Sequence, residues 1–209
     1  MRTLRLAAVW AAAAVTLGCT RLVGGDVLPL ITPPAPDSAD YIGRIMLGTS
    51  RLRAIVGAGD ELTAIPTMDS TAPVDIDELA ATVPSPCRFV YAETAVFGSG
   101  FTRFRKISYQ DPPRPGLISQ GVAVYPDPDA ARGAFDALVG TVAACADSPS
   151  GPGLVGEWAV GGQWLHTRPG GCGRSYQWKA TALIEVTHCG FSESIADLVV
   201  TNMSAGIPG

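Results

Sequence analysis

Histidine is almost missing from this chain: His166 and His188 are the only two, and Lys, Arg, Asp and Glu together make up 16% of the residues. Five cysteines occur, Cys19, Cys87, Cys145, Cys172 and Cys189, but no two stand in a Cys-x-x-Cys spacing. Zinc sites draw on such pairs or on His clusters, so the composition excludes a structural zinc module. A net charge of −4 gives no basic footprint for nucleic acid or for anionic lipid headgroups. Beyond the first twenty residues, no apolar run approaches the roughly 20 residues that a membrane-spanning helix needs. No catalytic constellation stands out either. Gly151-Pro152-Gly153-Leu154-Val155-Gly156 matches the dinucleotide fingerprint only formally. That fingerprint works between a strand and a helix, and here no strand precedes it and Glu157-Trp158 opens a strand, so a loop is expected. Gly98-Ser99-Gly100 lacks the nucleophile-elbow spacing and reads as a turn.

What is present begins at the amino terminus. Arg2 and Arg5 precede an apolar run from Leu6 to Val15, then the small residue Gly18, then Cys19. A basic start, a short apolar core and a small residue make a secretory signal peptide. A cysteine at the first mature position gives it the form of a bacterial lipoprotein signal, although Thr16 stands where Leu or Val is usual. The expected organisation is a signal peptide over 1–18, a lipidated Pro/Gly-rich tether over 19–39 and one domain over 40–209. The protein is then anchored at the extracytoplasmic face of the cell membrane by the acyl chains on Cys19, since two or more chains hold stably where one does not.

Lipidation of Cys19 leaves an even set of cysteines in an oxidising compartment, for which three pairings exist. Arg174 to Lys179 and Ala182 to His188 read as strands joined by a two-residue turn at Ala180-Thr181. In that register Lys179 faces Ala182 and Cys172 faces Cys189, which puts the two thiols within disulfide reach. Cys87 then pairs with Cys145.

The rest of the domain reads as helices, strands, a helix, strand hairpins and a helix. A first helix is expected from Asp40 to Val56, closed by Gly57, and a short one over 75–81. Strands are expected over 92–97, 101–109 and 117–125, with the Pro-rich stretch 111–116 as a loop. Asp127-Pro128 starts the clearest helix, with Ala131, Phe135, Leu138, Val142 and Cys145 along one stripe. Val155 to Val160 and Gln163 to Thr167 form a hairpin through Gly161-Gly162. A last helix is expected from about Glu193 to Ser204, with Ile195, Leu198, Val199 and Asn202 on one side. Hairpins dominate, so the expected fold class is α+β, an antiparallel sheet with helices packed on it and two disulfides.

Cys87 through Val90-Tyr91, Gly98-Ser99-Gly100-Phe101 and Val122-Ala123-Val124-Tyr125-Pro126 to Ala144-Cys145-Ala146 resembles the extracellular sensor domain of actinobacterial PknH-type receptor serine/threonine kinases. Cys172 and Cys189, flanking Ala182-Leu183-Ile184-Glu185-Val186, continue the likeness. The resemblance implies an α+β fold with an antiparallel sheet, the same two disulfides and a broad surface cleft suited to ligand capture. The chain departs from the family's pattern in two places. Ala180-Thr181 replaces a frequent Asn-Asn, and no Gly-rich ATP loop or catalytic Asp signature accompanies the domain.

Trp158, Trp164, Tyr176 and Trp178 fall within the two hairpins. They are candidates to line a cleft for a hydrophobic or glycan-like ligand, with a sheet core as the alternative. The functional expectation is a non-enzymatic, sensor-like domain without cofactor or metal that binds a ligand or protein in the cell envelope. The alternative is an envelope hydrolase using His166 or His188 as base.

Overall fold

The computed structural model describes residues 38–208; the expected signal peptide, Cys19 and nearly all of the expected tether lie outside that range. Helices α1 (Ser38–Ile45) and α2 (Thr49–Val56) lead into a short strand β1 (Thr63–Ala64). Then come α3 (Asp77–Ala80), a 3-10 turn (Ser85–Val90) and α4 (Glu93–Phe97). The long hairpin β2 (Arg103–Asp111) and β3 (Gly116–Val124) precedes α5 (Pro128–Ala146) and α6 (Gly151–Val155). Two further hairpins, β4 (Glu157–Val160) with β5 (Trp164–Arg168) and β6 (Cys172–Lys179) with β7 (Ala182–Cys189), lead to α7 (Glu193–Ala205).

All seven strands join one sheet in the order β1-β2-β3-β7-β6-β5-β4, with every pair antiparallel. The α+β fold class is therefore observed as expected. Side chains alternate between the two faces of a strand, so the register assigns each residue a face. One face carries Tyr109, Ile118, Val122, Ala182, Ile184 and Val186, buried against apolar residues of α1, α2 and α7. The other carries Phe104, Ala123, Leu165, Tyr176 and Leu183, buried against Phe135, Leu138 and Val142 of α5. The Asp127 carboxylate accepts from the Ala130 amide at 2.8 Å, which caps α5 as its Asp-Pro start predicts.

Both disulfides form with the expected partners, Cys87 with Cys145 and Cys172 with Cys189. Cys172 pairs directly with Cys189 across β6 and β7, and Lys179 with Ala182. The tight turn is achieved without glycine because Ala180 itself takes a positive φ of 48°.

Four local expectations are corrected. The single helix from Asp40 to Val56 is two, broken between Ile45 and Thr49. At the break the Leu47 amide donates to Gln120 Oε1 at 2.9 Å, and Gln120 Nε2 donates back to the Leu47 carbonyl at 3.0 Å. A buried side-chain amide from β3 thus replaces the helical bonds that would have continued through the bend. The expected strand over 92–97 is the helix α4, whose Phe97 is fully buried beside Gly121. The expected loop at the glycine-rich stretch is the one-turn helix α6, closed by Gly156 at a φ of 63°. In α7 the buried side is Ala196, Val199, Val200 and Met203, while Leu198 is half exposed. Helical spacing leaves several faces of similar hydrophobicity there, and the docking of α1 and α2 selects among them.

Candidate functional site

The α5 side of the sheet is covered unevenly. Helix α5 packs over the strand ends carrying Phe104, Ala123, Leu183 and Tyr176. At the opposite end the same face carries Leu117, Ser119, Gly121, Lys106, Arg174, Glu185 and Thr187, and these floor a cleft of about 370 Å³. The stretch from Thr67 to Glu93 forms its wall. Met68, Val74 and Ile76 stand on this wall, 39%, 50% and 51% exposed, so the rim is apolar.

The floor is charged and internally paired. Lys106 forms an ion pair with Glu93, whose second oxygen accepts from the Val74 amide at 2.8 Å. Arg174 lies 3.7 Å from Glu185 and donates to the Val90 carbonyl at 2.8 Å. Glu185 also accepts from the Thr187 hydroxyl at 3.0 Å. The wall is fastened to itself as well, through the Ile76 amide on the Tyr91 carbonyl and the Thr94 amide on Asp75. Burial pushes the Glu185 carboxyl above the usual range; Glu93 adds to the rise, while Arg174, Lys106 and the Thr187 hydroxyl oppose it. Two acids and two bases so arranged largely compensate one another and place both donors and acceptors on the cleft floor.

The charged quartet was absent from the sequence-based candidates. A signal for half of it existed: the hairpin register that pairs Cys172 with Cys189 also sets Arg174 opposite Thr187, diagonal to Glu185. Lys106 and Glu93 come together only through the packing of α4.

The four aromatic candidates do not converge on one cleft. Trp158, Tyr176 and Trp178 belong to the α5 side, where Tyr176 is wholly buried and the tryptophans pack at the margin of the core. Trp164 stands on the opposite face, 44% exposed and stacked on His166 with ring centroids 5.3 Å apart.

Among the described residues, neither histidine is hydrogen-bonded to a serine, threonine or cysteine side chain. His166 is paired with Ser175 across β5 and β6, but the Ser175 hydroxyl is engaged by Arg168 at 3.0 Å and Asp197 at 3.4 Å. His188 is buried with Nδ1 unpartnered; burial and the nearby Arg168 guanidinium both lower its pKa. Among the described residues no group of His, Cys, Asp and Glu is arranged to hold a metal ion, and no helix is long and apolar enough to cross a membrane.

Three comparisons bear on this geometry. The family described as PknH-like extracellular domain matches residues 38–205. No curated protein matches the chain. Among solved structures, the extracellular domain of PknH from Mycobacterium tuberculosis superposes with a TM-score of 0.57 at 13% identity, covering 79% of this chain and 96% of that one.

Proposed function

The chain belongs to the family of PknH-like extracellular domains, and from that premise we propose that it is a lipid-anchored, non-enzymatic sensor module capturing a ligand or partner in the cell envelope. An extracytoplasmic sensing role follows from the family itself. The finer reading rests on one observation, the cleft in which an apolar rim surrounds the Glu93–Lys106 and Arg174–Glu185 pairs. A sheet face left open beside a disulfide-braced core is a concave, largely pre-formed site, the usual setting for ligand capture. The two disulfides support folding outside the reducing cytoplasm. In this reading residues 1–18 are the signal peptide, 19–39 the tether and 40–209 the sensor domain, with Cys19 carrying the lipid. No nucleic acid and no cofactor takes part.

Two experiments test it. Immobilised domain is exposed to envelope extract, and bound species are read by native mass spectrometry for the wild type and for Arg174→Met. A discrete species held by the wild type and lost from the variant is expected; no retained species with well-folded protein overturns the reading. Intact-mass analysis of the native product is expected to show an acylated Cys19 at the amino terminus, and an unmodified thiol there removes the anchor.

A further inference from the structure

On the face opposite the charged cleft, a groove of about 410 Å³ runs between β5, β6 and α7. We propose that this groove is a saccharide-binding site with Trp164 as its stacking platform, independent of the ligand cleft. Its side chains are Trp164, His166, Ser175 and Gln177 from the sheet, with Asp197 and Thr201 from α7. By strand register the four sheet residues share the α7 face, whereas the floor of the charged cleft lies on the other.

An exposed tryptophan alone is unremarkable, but this one is held in place. One side of the indole rests on the His166 ring, 22° from parallel. The other constraint is Gly161: a Cβ added there would stand 2.3 Å from the indole Nε1, so the turn accepts the ring only because that residue is glycine. A rigid, half-exposed aromatic face pays little conformational entropy on binding. It offers the negative π-surface that the polarised C–H groups on one face of a pyranose ring match.

The surrounding groups suit vicinal hydroxyls. Asp197 is fixed by Arg168 at 3.3 Å and by the Ser175 hydroxyl at 3.4 Å, so its charge is partly compensated and its position set. Gln177 accepts from the Ser204 hydroxyl through Oε1, with its Nε2 protons left for a ligand. Thr201 adds a hydroxyl. A carboxylate, an amide and hydroxyls beside an aromatic plane form a donor–acceptor set for a neutral, polyhydroxylated molecule. A simple anion would meet Asp197, and a purely apolar ligand would leave these groups unpaired.

The test uses the disulfide-bonded domain with chitotriose and maltotriose as probes and butyltrimethylammonium as a cationic control. The Trp164 indole N–H resonance and tryptophan fluorescence are followed in titrations. At least one saccharide is expected to shift the Trp164 signal saturably. Trp164→Ala and Gly161→Ala, the second keeping the indole but displacing it, should each weaken association at least tenfold, and Asp197→Asn several-fold. Leu79→Ser, remote from the groove, should stay within twofold of wild type, and thermal melts confirm that each variant is folded. Saccharide titrations that leave the Trp164 signal unmoved, a response to the cation alone, or full affinity in Gly161→Ala each overturn the assignment. None of these results bears on the charged cleft, whose own test reads Arg174→Met.

Discussion

Replacing Gln120 by leucine tests the break between α1 and α2. Gln120 is fully buried, and its amide makes both bonds to the Leu47 backbone. Leucine keeps most of the volume but supplies neither donor nor acceptor. The Leu47 amide is then buried without a partner, at a cost of about 1–3 kcal/mol. The Leu47 carbonyl loses one donor and keeps the Tyr109 hydroxyl at 3.3 Å, so its loss is smaller, about 1 kcal/mol. Burying leucine in place of an amide returns roughly 1 kcal/mol. The net expectation is a destabilisation of about 2 kcal/mol, which for a domain of this size lowers Tm by roughly 4–8 °C. Urea unfolding with the disulfides intact measures it, and the slope should be unchanged because the same surface is exposed. Tyr109→Phe on its own should cost less than it does in the Gln120→Leu background, where it removes the carbonyl's last donor. Such coupling is the mark of a shared network. A variant within about 0.5 kcal/mol of wild type, or strict additivity of the pair, refutes the account of the helix break.

Removing both cysteines of a bridge should destabilise by about 4 kcal/mol for Cys87–Cys145 and about 3 kcal/mol for Cys172–Cys189, because the first closes the longer loop; denaturant titration of the double-alanine variants gives the ranking. Glu185 has its pKa raised on folding, so the native state holds that proton more tightly than the unfolded chain. Its contribution is fully present below the ordinary value of 4.5 and is lost as pH rises through the raised native value; the stability of wild type relative to Glu185→Gln should fall across that window in melts from acidic to neutral pH. An opposite slope would sink the assignment. Gly156→Ala places a Cβ 2.0 Å from the Arg168 carbonyl oxygen at a positive φ, and should cost at least about 2 kcal/mol by the same denaturant assay.

Much of the fold was legible residue by residue. The Asp127-Pro128 start and the stripe through Cys145 announced α5, because a cap and a long apolar repeat are local signals. The β6–β7 register followed from a two-residue turn and delivered the Cys172–Cys189 bridge with it. Short elements were less readable. Ala92 to Phe97 follows Cys87 and carries Val and Phe, yet it is a helix, since Asp75 and the Val74 amide engage its first residues and Phe97 closes over Gly121. The tryptophans misled in a similar way. Proximity in sequence within two hairpins says nothing about which face of the sheet each ring occupies, and Trp164 parts from the other aromatics for that reason.

The amino-acid order by itself determined the antiparallel α+β class, the sulfur pairing and the family likeness. These depend on composition, turn spacing and periodicities that act over a few residues. Only the tertiary structure decided where the helix before Gly57 breaks, which side of α7 faces inward, and that Glu93, Lys106, Arg174 and Glu185 share one cleft. Those outcomes depend on contacts between segments far apart in the chain, such as Leu47 with Gln120, whose free energies exceed the weak local preferences they override.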